Sequence, residues 1–208
     1  GDSSYKFAYF HRAYEMVKVR LLEGASNAYI SGDLNMWWNG YVNDSINNDL
    51  LSANKKLLQY HILNNVLKSE LEYYNNEIET SEMHRRMIYN SVYDKINMNT
   101  FNFINAAFDN LLFRFPTQYE FNQTYTMIED NTAQIVLNVS GNNKEDFSYI
   151  ISNSRGFYEG IIIWVYHALL AREPSTQEID VLMQEFYEHH DFQWIQRQIM
   201  QTNEYAHF

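Results

Sequence analysis

The chain contains no cysteine, and among its 208 residues there are only two prolines and seven glycines. Without cysteine, disulfides, c-type haem, thiolate zinc sites and cysteine nucleophiles are excluded. Basic residues are scarce as well. Fifteen Lys and Arg face 26 Asp and Glu, giving a net charge of -11 and a pI of about 5.0. Nucleic acid binding draws mainly on phosphate neutralisation by cations, and attraction to an anionic bilayer draws on the same groups. Neither is expected as a partner. No apolar run approaches the roughly 20 residues of a transmembrane helix, the longest lying near residues 161–165. Gly-rich phosphate loops, His-Glu-x-x-His and Gly-x-Ser-x-Gly are missing too. The paired Glu-x-x-His helices of di-metal carboxylate bundles are not found. No catalytic residue, metal ligand or cofactor is therefore assigned.

What the chain does have is apolar and aromatic mass. Hydrophobic residues make up 46%, with 17 Tyr and 13 Phe, enough for a real core. Their spacing is helical. Phe7, Phe10, Tyr14, Val17 and Leu21 advance by threes and fours, which puts them on one helix face. Leu63, Leu67, Leu71 and Tyr74 form a second stripe, and Ile88, Val92 and Ile96 a third. Phe101, Ile104, Phe108, Leu111 and Phe115 form a fourth, and Phe157, Ile161, Val165, Ala168 and Leu169 a fifth. Residues 134–139 are the only short alternating run; a helix end or loop is the expectation there, with one strand as the alternative. Residues 138–143, with Gly141, read as a surface loop, and Gly32 and Gly40 as breaks around residues 33–39. Thr80-Ser81 and Asn99-Thr100 are candidate N-caps. The fold class is all-α, a multi-helix bundle of eight to ten helices. It divides into an N-terminal helical region, 1–100, and a duplicated region, 101–208, within one compact domain or two abutting bundles.

The duplication rests on one motif. Leu111-Leu112-Phe113-Arg114-Phe115-Pro116-Thr117-Gln118-Tyr119-Glu120 matches Leu169-Leu170-Ala171-Arg172-Glu173-Pro174-Ser175-Thr176-Gln177-Glu178 at an offset of 58 residues, and the motif holds both prolines of the chain. Thr or Ser followed three residues later by Glu is a capping box. Proline before the cap ends the incoming helix and can staple against the apolar N4 residue, Phe121 or Ile179. The buried stripes after the caps are expected at Phe121, Tyr125 and Ile128, and at Ile179, Leu182, Met183 and Phe186. The copies span about 101–156 and 157–208. Arg114 and Arg172 close the incoming helices, where a cation can bind the last carbonyls or a nearby acid; an anion site is the sharper alternative.

Around Arg114-Phe115-Pro116-Thr117 and Arg172-Glu173-Pro174-Ser175 the chain resembles the R-x-P-[ST] helix turn of phycobilisome linker domains and of helical modules in bacterial exported and cell-surface proteins. Thr202-Asn203-Glu204-Tyr205, and Ser152-Asn153-Ser154 before Phe157, resemble the short closing helix of those modules. The resemblance covers about half the chain. It implies a helical scaffold without shared catalytic residues.

Two local stretches invite a functional reading. Glu188-His189-His190-Asp191 is rich in metal-type ligands, but neighbours on a helix point about 100° apart. Its expected role is structural, with His189 and His190 ending one helix and Asp191 capping the next. In Asn35-Met36-Trp37-Trp38-Asn39-Gly40-Tyr41, aromatic rings beside amides suit sugar stacking through Trp37, Trp38 and Tyr41. The competing expectation is that both indoles are buried anchors of an irregular connection. The triplets headed by Asn43, Asn122 and Asn138 fit N-x-[ST] by composition alone. Gly1 reads as a remnant of tag removal, and the residues before Asp2 are expected to include an export signal with a lipid anchor, trimming to an internal domain and a place in the cytoplasm being the alternative. The favoured function is a non-enzymatic interaction or scaffold module with a protein partner, outside the cytoplasm of a bacterium. Carbohydrate binding is the alternative, and an enzyme with a scattered site comes third.

Overall fold

The computed structural model describes residues 3–207, so Gly1, read as a remnant of tag removal, lies outside the described residues. The protein is all-α. Twelve helices and one two-stranded hairpin are found among the described residues, which divide into two compact units, Gly1–Asn99 and Thr100–Phe208. The helix count exceeds eight to ten because capped breaks cut the chain into short helices that periodicity alone merges.

The first unit holds α1 (Ser3–Leu21), α2 (Asn27–Ile46), α3 (Leu50–Tyr74), α4 (Thr80–Ile88) and α5 (Ser91–Asn97). Phe10, Tyr14, Val17 and Leu21 of α1 are buried as their spacing predicts, on a helix that packs against α3 and α4, with Phe10 edge-on to Tyr73 and Tyr14 OH donating to Val66 O. Phe7 instead lies half exposed, edge-on to Tyr74. The α3 stripe is displaced from the expected one. Leu71 is exposed, while Val66 and Tyr73 are buried. The helix is apolar on several sides, so more than one set of positions satisfies the 3.6-residue period. Ile88 and Val92 are buried but lie on different helices, because Asn90 caps α5, accepting from Val92 N and Tyr93 N. Thr80 is not a cap: Glu79 holds that position without a side-chain bond.

Gly32 and Gly40 do not break the chain; α2 runs through both. A mid-helix glycine costs only about 1 kcal/mol relative to alanine. At Gly40 the missing side chain has a use, since a Cβ there would lie 2.9 Å from Lys56 Cδ. Lys56 crosses this gap to bind Asp44 at 2.6 Å. With Ser52 also donating to it, the Asp44 carboxylate is held below its ordinary pKa, chiefly by the Lys56 bond.

The second unit holds α6 (Thr100–Leu112), α7 (Gln118–Glu129), β1 (Gln134–Val136), β2 (Val139–Gly141), α8 (Lys144–Ser152), α9 (Arg155–Leu170), α10 (Thr176–His189), α11 (Phe192–Met200) and α12 (Asn203–Ala206). Here the run at 134–139 forms strands, not a helix end or loop. Val136 pairs with Val139 across Leu137-Asn138, and both turn residues have positive φ. That is the backbone of a primed two-residue hairpin turn. Gly141 is buried, because a Cβ there would lie 2.8 Å from Asp146 Cβ and 2.9 Å from Ile150 Cδ1. The α7 stripe also differs from expectation: Thr124 and Met127 are buried, and Tyr125 is exposed. Phe101 and Phe115, at the ends of the fourth stripe, are exposed as well, Phe115 lying beyond the end of α6. Ala168 and Leu169 are not among the buried residues of α9.

Candidate functional site

Both copies of the ten-residue motif adopt one geometry. Phe113 and Ala171 stand in the left-handed region, at φ 52° and 51°, and end the incoming helix. Thr117 and Ser175 then cap α7 and α10 in complete capping boxes. The sequence treats the arginine and the capping box as separate devices, but they form one cluster. Glu120 Oε2 accepts from Thr117 N at 2.8 Å and from Arg114 Nη1 at 2.8 Å, while its Oε1 accepts from Arg114 Nη2 at 2.6 Å. Glu178 receives the corresponding bonds from Ser175 N at 2.7 Å and from Arg172 Nη1 and Nη2 at 3.0 and 2.7 Å. Each guanidinium lies over an aromatic ring six residues back, Phe108 or Tyr166, at 5.3 and 4.9 Å. The arginine bonds hold Glu120 and Glu178 at pKa values of about 2, with the caps adding to the effect. Each fork is thus filled by a carboxylate of its own turn, not presented to an outside anion.

This closed unit sets the first testable outcome. Thr117→Ala or Ser175→Ala should each cost about 1–2 kcal/mol in urea unfolding of residues 100–208, at the upper part of the cap range because the hydroxyl also donates to the glutamate. The two losses should add in the double variant, since the caps share no partner.

The other stretches fall as follows. His189 ends α10 beside Glu185 at 3.6 Å, His190 stacks on Tyr158 at 4.4 Å, and Asp191 caps α11 by accepting from Trp194 N. The sequence also carries a single Glu-x-x-His at Glu204 and His207. Glu204 is bound to Arg172 at 2.6 Å, and His207 Nδ1 donates to Asn203 O. An open cavity of about 490 Å³ lies beside the second turn, lined by Tyr166, Ser175, Glu178, Val181, Leu182 and Ile199. Its one carboxylate is committed to Arg172 and Ser175, so the cavity offers no free base beside a nucleophile.

Trp37, Trp38 and Tyr41 lie on a regular helix, not an irregular connection, and the expectation of two buried indoles is overturned. Trp38 is 43% exposed. Trp37 is partly buried, its Nε1 donating to Ser91 Oγ at 3.1 Å. No family model, curated protein or solved structure matches this chain. Functional reasoning therefore stays with the surface itself. Trp38 packs on Tyr41 of its own helix at 5.3 Å and on Tyr60 of α3 at 5.2 Å, with ring planes inclined by 47° and 50°. The rings lean on one another and do not form a coplanar platform for a sugar.

Around these rings lies a face that sequence reading missed. Leu34, Trp38, Tyr41 and Ser45 advance along α2 by 4-3-4 steps; Leu50, Ala53, Leu57, Tyr60 and Asn64 advance along α3 by 3-4-3-4. This is the alternation of a coiled-coil seam, and the Trp38–Tyr60 contact places both seams on one side of the hairpin. Of residues 35–62 only Asp44 and Ala53 are buried. Leu50 is 66% exposed. The signal was present in the spacing, but reading Gly32 and Gly40 as helix breaks hid it.

Proposed function

We propose that the protein is a non-enzymatic interaction or scaffold module that works outside the cytoplasm of a bacterium by presenting the α2–α3 hairpin to a protein partner. The observation that carries this reading is the partly covered α2–α3 seam, on which Trp38 and Leu50 are exposed and Ala53 alone is buried. Monomeric surfaces rarely expose contiguous apolar patches beyond a few hundred Å², and larger ones mark interaction sites. The Arg114 and Arg172 clusters fit the same reading, since their charged groups are spent on bracing helix turns. The placement outside the cytoplasm rests on the resemblance of those turns to exported helical modules.

The test is affinity capture from bacterial envelope extracts with the wild-type chain and with Trp38→Glu, followed by a binding isotherm with the purified captured protein. The expected result is saturable binding that Trp38→Glu weakens at least tenfold with unchanged circular dichroism. Binding that the substitution leaves untouched would remove this face from the function. Carbohydrate stacking is the second reading, favoured by the half-exposed Trp38 beside Asn35 and Asn39. It requires glycans to protect Trp38 from a neutral fluorescence quencher.

A further inference from the structure

We propose that the partner of the α2–α3 face is the same face of a second copy of this chain, the two hairpins closing into an intermolecular four-helix bundle. The proposal rests on the interaction reading and names its occupant.

Geometry supports self-pairing first. Two antiparallel helices whose seams cover each other only in part, with Trp38 and Leu50 exposed and Ala53 buried, form half of a four-helix bundle, whose cores are built from such seams. A two-fold axis needs a self-complementary patch. The α2–α3 face mixes large and small residues, Trp38, Tyr41 and Tyr60 standing beside the half-buried Ser45, so a ring of one copy has a small residue of the other to settle on.

Charge points the same way. Residues 100–208 carry 14 acids and 5 bases, a net of -9, while residues 1–99 carry 12 and 10, a net of -2. Within residues 34–64 the charged residues are Asp44, Asp49, Lys55 and Lys56, which sum to zero. Two copies of an acidic protein repel each other over most of their surface, and this neutral hairpin is a stretch where they can meet without that cost. A strongly basic partner would find little there to recognise.

Area sets the strength. Two helices side by side, each about 10 Å across and about four turns long, outline a face of roughly 450 Å². Two copies would bury on the order of 1,000 Å² in total, the small end of specific interfaces. Interfaces of this size are mostly weak and transient, so the dimer is expected to exchange with monomer.

The experiment is sedimentation equilibrium of the full chain from about 1 to about 300 μM, a range that brackets micromolar dissociation. Wild type is expected to pass from monomer to dimer. Trp38→Glu and Leu50→Glu should each weaken the dimer at least tenfold with unchanged circular dichroism. Leu50 is the first residue of α3, where an acid favours the helix, so this second variant keeps the test valid if Trp38→Glu misfolds. Val181→Glu, exposed in the second unit, should change nothing. A wild type monomeric throughout overturns the proposal, as does a dimer indifferent to both hairpin variants. A monomeric wild type that still binds a different purified protein through Trp38 would end self-pairing and keep the interaction reading. A monomer whose captures all ignore Trp38→Glu would end both.

Discussion

Gly160→Ala should destabilise residues 100–208 by about 3 kcal/mol or more, the upper end of what overpacking costs. A Cβ at Gly160 would lie 2.1 Å from Leu111 O and 3.1 Å from Leu111 C. Those atoms are backbone in the last turn of α6, so no rotamer change relieves the clash; α6 and α9 must move apart where Arg114 begins its turn. Gly156, four residues earlier on the same face of α9, is the control. There a Cβ would meet side chains, Leu112 Cδ2 at 3.3 Å and Ser154 Oγ at 3.8 Å, and no backbone. Gly156→Ala should stay within about 1 kcal/mol of wild type, helix propensity offsetting the tighter packing. Urea unfolding of both variants, followed by circular dichroism, measures the contrast. Equal stabilities would mean that the close α6–α9 approach does not exist in solution.

The second large effect is on pH dependence, and it belongs to the first unit. His84 is fully buried on α4, its Nδ1 donating to Thr80 O at 2.7 Å. Burial drives its pKa down to about 3, and the Arg20 charge adds to the depression. The folded state therefore binds fewer protons than the unfolded one between pH 6.5 and about 3. His84 supports the fold fully above pH 6.5, and that support is lost as pH falls, at about 1.4 kcal/mol per pH unit. In the second unit Glu120 and Glu178, at about 2, act in a lower window, their support fading only as pH falls below about 4.5. At pH 5, hydrogen exchange should thus show residues 1–99 opening more readily than at pH 7, with residues around the two caps unchanged. His84→Asn keeps a donor near Thr80 O and should flatten this dependence at some cost in packing. A first unit equally protected at both pH values would place a charged partner beside the imidazole.

How far the sequence reaches depends on which signals have a single solution. The α1 stripe and the caps at Thr117, Ser175 and Asp191 do, because an apolar face or a capping box fits one register only. The α3 stripe does not: apolar residues on several sides let Leu67 and Leu71 compete with Val66 and Tyr73. Leu137-Asn138 hides a primed turn because its residues are not the Asn-Gly or Asp-Gly that mark one. The α2 seam was obscured by reading glycine as a break where it makes room for Lys56. The partner of Arg114 and Arg172 was nearly legible, since the glutamate already stood in the motif, but spacing cannot say that one carboxylate serves both the cap and the guanidinium.

The two halves of the second unit share a strut. α9 begins at the cap Ser154 and ends at the turn that carries Arg172, so it closes one motif and opens the other. The cap Ser154 corresponds to Thr202, which accepts from Tyr205 N as Ser154 accepts from Phe157 N. Asn143 and Asp191 correspond in the same way, each capping a nine-residue helix. The offset between halves is 58 residues at Thr117 and Ser175 but 48 at these later caps, and the ten-residue difference falls where the β1–β2 hairpin sits. The frame thus keeps count in capped helices, not in residues. Chain length is free at the hairpin and fixed along the strut, so foreign sequence spliced in at Leu137-Asn138 should leave the frame standing, whereas a cut at residue 156 would sever the one girder that both halves stand on.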